Sequence, residues 1–379
     1  MTGKHTWPKV MVFCCLLALM VGCAAAQPGQ PRPPAKRLGL GLPYIQAAWV
    51  APHRIGGLTH KTLCVQLDRP MMVLSSLQGW RQVRRVGNHY VPKQAWASLH
   101  GLSLPAMIAV FWQASGFETQ DGALLITGAD MDHLAIGRAA SGRLKVVALV
   151  TAGVRSNAMR QGTDQGRFVE PGTINIIIMT SRRLSPRAMT RALITVTEAK
   201  TAALQDLDVR SAYQPLACQA TGTGTDNIMV VQGAGAPAKL TGGHSKLGEL
   251  IARATYQGVV RAIAKQNGIT AGRSLLLRLA ERKLTPRDLA GGSSCGAAAV
   301  RELLAHPELA GWLEQALALQ DAWQRRQLGD LSAWRKQCRA VAAELGVKVR
   351  SALDGRDGPL VMAREVLLGY AAQRCAGRL

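Results

Sequence analysis

The chain has 379 residues, of which 48% are hydrophobic and 4% aromatic, and its 46 Lys and Arg against 23 Asp and Glu leave a formal net charge of +23. This length is typical of about two domains, and the hydrophobic fraction excludes a wholly disordered chain. The few aromatics disfavour a stacking platform for single-stranded nucleic acid. The basic residues are spread along the sequence, so they predict a basic surface and no nucleic-acid partner.

Residues 1–22 are predicted to be an export signal. Lys4 and Lys9 precede the short apolar stretch Val10–Val21, which is too short to span a membrane as a helix. Cys23 follows Gly22, and a cysteine after small residues is what a lipoprotein signal peptidase requires. We therefore expect lipidation at Cys23 and an exported, periplasmic or cell-envelope lipoprotein that is anchored at this residue.

Ordinary secretion is the alternative, with cleavage after the three alanines that follow Cys23. In either case residues 23–45 are predicted to be a tether, because the Pro-rich stretch Gln27–Pro34 favours extended polyproline conformation.

Five cysteines remain beyond the signal and Cys23. They are Cys64, Cys218, Cys295, Cys338 and Cys375. An exported protein permits disulfides, and we expect a pair among the last three because they share one segment. No Cys-x-x-Cys motif or His/Cys cluster with metal spacing occurs, so neither a metal site nor a cofactor is predicted.

The middle of the chain is predicted to alternate strands and helices, which is typical of a layered α/β or α+β catalytic domain over residues 46–270. Apolar and β-branched runs predict the strands. The predicted strands are Thr62–Leu67, Met71–Leu74, Ala123–Thr127, Lys145–Thr151, Ile174–Met179 and Asn227–Gln232. The predicted helices are Pro105–Gly116, Ala188–Asp206 with Ser185-Pro186 as its cap, and Ser245–Gln266. Residues 271–379, with the capping sequence Thr285–Asp288, predict a mostly helical extension.

Four polar stretches lie between or within these elements. They are Thr151–Ala158, Gly172–Asn175, Thr197–Lys200, and Thr221–Asp226 taken with Gly242–Lys246. Glu198 and Lys200 are two residues apart on a helix and cannot face each other, so at least one should point inward. A buried charge needs a partner, and Asp226, His244 and Lys246 are candidates. Together these side chains could cleave an amide.

The same stretches resemble the adenosylcobinamide amidohydrolase family over roughly residues 60–265. The matching motifs include Thr197-Glu-Ala-Lys200, Thr221-Gly-Thr-Gly-Thr-Asp226 and Gly243-His-Ser-Lys-Leu-Gly-Glu249. The resemblance implies hydrolysis of the amide that joins the corrin ring to aminopropanol in (adenosyl)cobinamide, in cobamide salvage. The corrinoid is then the substrate, and corrinoid uptake machinery is a candidate partner. Export and the helical extension both depart from the family pattern.

We assign His244 as the general acid/base, because an unperturbed histidine titrates near neutrality. Asp226 or Glu198 would orient it or activate water, and Lys200 or Lys246 would stabilise the oxyanion or bind a substrate phosphate. The predicted substrate-binding residues are Ser156, Asn157, Asn175, Thr223, Thr225 and Lys246.

Two further hypotheses stay open. Gly172-Thr173 before a buried strand is similar to self-processing amidases, in which Thr173 would attack as a new N-terminal nucleophile. Alternatively, the protein binds a corrinoid without catalysis and hands it to a transporter.

Overall fold

The computed structural model describes residues 35–99, 101–166, 171–349 and 357–377. The predicted signal 1–22, the lipidation site Cys23 and the stretch Gln27–Pro34 lie outside these residues. Two compact units are present. The first contains the described residues up to Val209 together with Ala220–Thr270, and the second contains Arg210–Gln219 and the described residues from Ala271.

The first unit is built around a mixed nine-stranded sheet. Its strands are β1 (Lys36–Arg37), β2 (Ile45–Ile55), β3 (Leu58–Ser75), β4 (Gly79–Tyr90), β5 (Gly122–Thr127), β6 (Ala135–Ser141), β7 (Leu144–Ala152), β9 (Ile174–Thr180) and β12 (Asn227–Val231). Short pairs flank the sheet, with β8 (Ala158–Met159) against β11 (Gly222–Thr223) and β10 (Arg183–Leu184) against β13 (Pro237–Ala238). The main path runs β1-β2-β3-β12-β9-β7-β6, and β4 pairs with both β3 and β5.

The described residues of this unit form four α-helices. They are α1 (Trp96–Leu99), α2 (Leu104–Ala114), α3 (Pro186–Asp206) and α4 (Lys246–Asn267). Helices α3 and α4 cover one face of the sheet, where Val150, Ile176 and Ile251 share a core. The other face curls so that β2–β5 and β7, β9 and β12 bury a second core, which includes Leu63, Leu149 and Ile177. The α/β fold class is confirmed, and alternate residues of β7 and β9 serve opposite cores, as expected for strands buried on both faces.

Most predicted elements are present with shifts of one or two residues. Ser185 caps α3 as predicted, since its hydroxyl accepts a hydrogen bond from the Ala188 N–H at 3.2 Å. The prediction of two strands around Asp68-Arg69-Pro70 is wrong. One long strand, β3, passes through these exposed residues, and the register against β4 shifts between Gln66 and Met71. Proline lacks the N–H that a regular ladder needs and is tolerated at such an irregularity.

The predicted tether 23–45 is too long at its C-terminal end. Strand β1 pairs with β2, and Leu40, Leu42 and Tyr44 are buried in the second core. The Tyr44 hydroxyl also donates to the Thr180 carbonyl at 3.0 Å. These apolar side chains follow the Pro-rich stretch, and their burial makes residues 35–45 part of the folded unit.

The second unit is helical. Its helices are α5 (Leu275–Glu281), α6 (Pro286–Leu289), α7 (Ser294–Leu303), α8 (Pro307–Gln324), α9 (Ser332–Glu344) and α10 (Pro359–Cys375). A disulfide joins Cys295 to Cys375, which confirms the predicted pair among the last three cysteines. The segment Arg210–Gln219 belongs to this unit, because Arg210 forms a buried ion pair with Asp321 at 2.8 Å. Among the described residues, no helix is both long and apolar enough to span a bilayer.

Candidate active site

A buried ion pair lies at the centre of the candidate site. Lys200, on α3, binds the carboxylate of Asp226, which directly precedes β12. Their side chains are 7% and 12% exposed. The prediction that Glu198 or Lys200 points inward is thus confirmed for Lys200, and its partner is one of the three candidates named from the sequence.

The Asp226 carboxylate ties together three parts of the chain. Its Oδ1 accepts the backbone N–H of Ile174 at 3.0 Å, and its Oδ2 accepts the backbone N–H of Thr223 at 3.1 Å. The Thr223 hydroxyl also donates to Oδ1. Through these hydrogen bonds and its ion pair, Asp226 joins the start of β9 and the turn before β12 to helix α3.

Gly222 lies directly against this ion pair. A Cβ added at Gly222 would meet Asp226 Oδ2 at 2.5 Å and Lys200 Nζ at 2.7 Å. The chain therefore needs glycine here, because any side chain would occupy the space of the ion pair.

Thr173 presents a buried hydroxyl next to this carboxylate network. Its Oγ1 donates to the Thr225 carbonyl at 2.6 Å and faces Asn175 Oδ1 at 3.2 Å. The Asn175 amide is itself fixed, because its Nδ2 donates to Asn88 Oδ1 and to the Ile126 carbonyl, both at 2.9 Å. Asn175 is fully buried. Its side chain is therefore held in place and positions the Thr173 hydroxyl.

The backbone immediately before Thr173 is also held by side chains. Asn157 Nδ2 and Thr225 Oγ1 donate to the Gly172 carbonyl oxygen at 3.0 and 2.9 Å. Ser156 Oγ donates to the Pro171 carbonyl at 2.9 Å. We call Asn157, Thr173, Asn175, Lys200, Thr223, Thr225 and Asp226 the polar cluster.

Sheet topology explains why residues far apart in sequence form the polar cluster. Strands β9 and β12 are parallel, so both begin at the same edge, and β7 is antiparallel to β9 and ends there. In register, Thr151 lies opposite Asn175, and Asn175 lies opposite Asn227. The loops before β9 and β12 therefore converge beside α3.

The other predicted catalytic residues lie outside this network. His244 and Glu198 are exposed, and neither is hydrogen-bonded or ion-paired within the part of the chain that the structure describes. Lys246 is exposed and pairs with Glu249 at 2.5 Å. The loop carrying His244 contacts α3, since Thr195 Oγ1 donates to the Thr241 carbonyl at 2.9 Å. Lys200 is five residues further along that helix, about 7.5 Å along its axis.

Asn88 belongs to the site and was not predicted. It lies in β4, is 2% exposed, and its Nδ2 donates to Thr151 Oγ1 at 2.9 Å. The sequence could have indicated Asn88 only as a polar residue in Gly87-Asn88-His89. This stretch belongs to β4, a strand that the apolar pattern did not predict. Within the described residues, no three His, Cys, Asp or Glu side chains are grouped as metal ligands.

The profile of the adenosylcobinamide amidohydrolase family matches residues 50–271, which is more than half of the chain and contains the whole polar cluster. The chain belongs to the adenosylcobinamide amidohydrolase family. The resemblance derived from the sequence motifs is thereby confirmed, and the family implies a hydrolase that acts on a cobinamide-type corrinoid.

A relative from Methanocaldococcus jannaschii, the uncharacterized protein MJ1613, is 39% identical over 244 residues, which cover 59% of this chain and 94% of that protein. Among solved structures, the PH0078 protein from Pyrococcus horikoshii OT3 aligns with a TM-score of 0.33 and 11% identity, over 62% of this chain and 90% of that one. That structural likeness is too low to carry a conclusion.

Proposed function

We propose that this protein hydrolyses the amide between the corrin ring and aminopropanol of (adenosyl)cobinamide, giving (adenosyl)cobyric acid and 1-amino-2-propanol in cobamide salvage. Membership of the family supports the substrate class. The observation that carries the chemistry is the buried Lys200–Asp226 pair, which lies beside the positioned Thr173 hydroxyl.

An amide is a poor electrophile, so the reaction needs stabilisation of the oxyanion and protonation of the departing amine. We assign oxyanion stabilisation to Lys200, whereas the side-chain donors of Asn157 and Thr225 are bonded to the Gly172 carbonyl. Asp226 holds the Lys200 ammonium in place. Asn175 was predicted to bind substrate amides, but it is fully buried and we now assign it the positioning of Thr173.

Glu198 is an exposed residue of α3, and His244 is an exposed residue of the loop before α4, and we keep both as candidates for proton transfer. Loss of a true acid/base lowers kcat roughly 10²–10⁴-fold. His244→Ala and Glu198→Gln should produce that loss with no change in the free energy of unfolding, because neither side chain has a partner within the described residues. His306→Ala, at an exposed histidine of the second unit, is the control. Activity of His244→Ala within a few fold of the wild type would remove His244 from the mechanism.

We also propose that the protein acts outside the cytoplasm as a lipoprotein anchored at Cys23. The signal-like residues 1–22 and the Cys295–Cys375 disulfide support export, since disulfides persist in oxidising compartments. Labelling with a radioactive fatty acid tests lipidation, and Cys23→Ser should abolish the label. Labelling that survives this substitution would refute the anchor.

A further inference from the structure

The peptide bond between Gly172 and Thr173 is surrounded by groups that would favour its own cleavage. Its carbonyl oxygen accepts hydrogen bonds from two side chains of different loops, Asn157 Nδ2 at 3.0 Å and Thr225 Oγ1 at 2.9 Å. Two donors at this distance from a carbonyl oxygen form the arrangement that stabilises an oxyanion. A carbonyl oxygen has two lone pairs, and at Gly172 side chains donate to both.

The Thr173 hydroxyl lies next to this carbonyl by covalent geometry. Attack of Oγ1 on the carbon of the preceding carbonyl closes a five-membered ring. The hydroxyl is held from both sides, by the Thr225 carbonyl at 2.6 Å and by Asn175 Oδ1 at 3.2 Å. Because the Thr225 side chain binds the carbonyl and its backbone binds the hydroxyl, one residue positions both reacting groups.

Glycine at position 172 keeps these groups close to the scissile carbonyl. A Cβ there would meet Asn157 Cβ at 3.0 Å and both Gly153 O and Ser156 Oγ at 3.1 Å. Any larger residue would push Asn157 away from the Gly172 oxygen. The residue pair Gly-Thr therefore matches the requirements of an internal attack at this bond.

We propose that the protein cleaves its own Gly172–Thr173 bond and that the mature form consists of two associated polypeptides. Thr173 Oγ1 attacks the Gly172 carbonyl carbon, its proton passes to the Thr173 nitrogen, and the C–N bond breaks. This leaves an ester between Gly172 and Thr173 Oγ1 and a free amine on Thr173. One water molecule then hydrolyses the ester, which releases the Gly172 carboxyl group and restores the hydroxyl.

The two polypeptides should stay together after cleavage. Strand β9 begins one residue beyond the cut and is paired with β7 on one side and β12 on the other. The Asp226 carboxylate holds the Ile174 N–H at 3.0 Å. The new Thr173 amine would then lie beside its own hydroxyl and could serve as its base. The role of the Thr173 amine as a base rests on the proposed hydrolysis of cobinamide. The cleavage of the Gly172–Thr173 bond does not depend on that activity.

Intact-mass analysis of the purified, denatured full chain tests the cleavage without any substrate. We expect two polypeptides, one ending at Gly172 and one running from Thr173 to Leu379, that co-elute in native size-exclusion chromatography. Thr173→Ala should remain a single chain, Thr173→Ser should still be cleaved, and Asn157→Ala or Thr225→Val should slow cleavage at least tenfold. Thr190→Ala is the matched control, since that exposed threonine on α3 donates to the Pro186 carbonyl of its own helix.

A folded wild-type protein that stays a single chain after prolonged incubation would overturn the proposal, as would cleavage of Thr173→Ala at the same bond. Cleavage of the wild type without turnover of cobinamide would support self-processing and refute the proposed function instead. The two hypotheses therefore fail in different ways.

Discussion

Lys200 and Asp226 form a buried ion pair that connects helix α3 to the start of strand β12. The same carboxylate accepts the backbone N–H of Ile174, the first residue of β9. One charged pair thus fixes the spacing between a helix and two strands at the edge of the sheet where the candidate site lies.

Removing either member of the pair should destabilise the protein and abolish activity. Lys200→Met or Asp226→Asn leaves the other group buried without its partner, which typically costs about 3–5 kcal/mol. Urea denaturation should show the loss, and the double variant should be less destabilised than the sum of the two single variants. Lys145→Met, at an exposed lysine of β7, should change stability by less than about 0.5 kcal/mol. Strictly additive effects would show that Lys200 and Asp226 are not coupled.

Gly222→Ala should damage the site through sterics alone. The added methyl group would meet Asp226 Oδ2 at 2.5 Å and Lys200 Nζ at 2.7 Å, so the ion pair must move. We expect activity to fall at least tenfold, with a loss of roughly 1–3 kcal/mol in stability. Gly272→Ala is the control, because no atom lies within 4 Å of a Cβ at that position. An unchanged rate for Gly222→Ala would mean that the ion pair has no part in turnover.

These contacts show which parts of the site could be predicted from the sequence. Strands β7 and β9 and the Ser185 cap depend on local apolar runs and capping residues, which are visible without knowing the fold. The inward direction of Lys200 followed from helical spacing. Its pairing with Asp226 was one of three options, because only the parallel pairing of β9 and β12 brings that residue to α3.

Long-range contacts account for the parts that were missed. Asp68-Arg69-Pro70 has the composition of a turn, yet flanking pairing with β2, β4 and β12 makes β3 one strand. Asn88 of β4 accepts a hydrogen bond from Asn175 of β9, and the curl of the sheet brings these two strands together. Arg210 gives no local indication that it binds Asp321, which lies 111 residues away.

Acid should destabilise the first unit through a buried histidine pair. His60 Nδ1 lies 3.0 Å from His89 Nε2, His89 Nδ1 lies 2.7 Å from Thr62 Oγ1, and His53 and Phe111 complete the surroundings. Burial lowers the pKa of His60 to about 4. Burial, with neighbouring His60 and His53, lowers the pKa of His89 well below its usual 6.5.

Between pH 6.5 and about 4 the unfolded chain therefore binds more protons than the folded one. The free energy of unfolding should be unaffected above pH 6.5 and should fall below it, by about 1.4 kcal/mol per pH unit for each histidine. Urea denaturation at several pH values measures this slope, which His60→Gln should reduce and His306→Gln should not. Equal slopes in His60→Gln and the wild type would contradict the assignment.

The Cys295–Cys375 disulfide should stabilise the helical unit. It closes a loop with a sequence separation of 80 residues, and its loss should lower the free energy of unfolding by roughly 2–4 kcal/mol. Thermal denaturation of the wild type with and without reductant should show this difference. Cys295→Ala should unfold at the temperature of the reduced wild type, with or without reductant. A further large decrease in its unfolding temperature on reduction would show that another disulfide is responsible.

Product analysis with cobinamide tests the central claim most directly. The purified protein should convert cobinamide or its adenosylated form to the corresponding cobyric acid and release 1-amino-2-propanol in equal amount, as followed by chromatography and mass spectrometry. Folded Lys200→Met should yield neither product. If the wild type binds cobinamide tightly and returns it unchanged, the protein is a corrinoid carrier and the hydrolytic account is wrong.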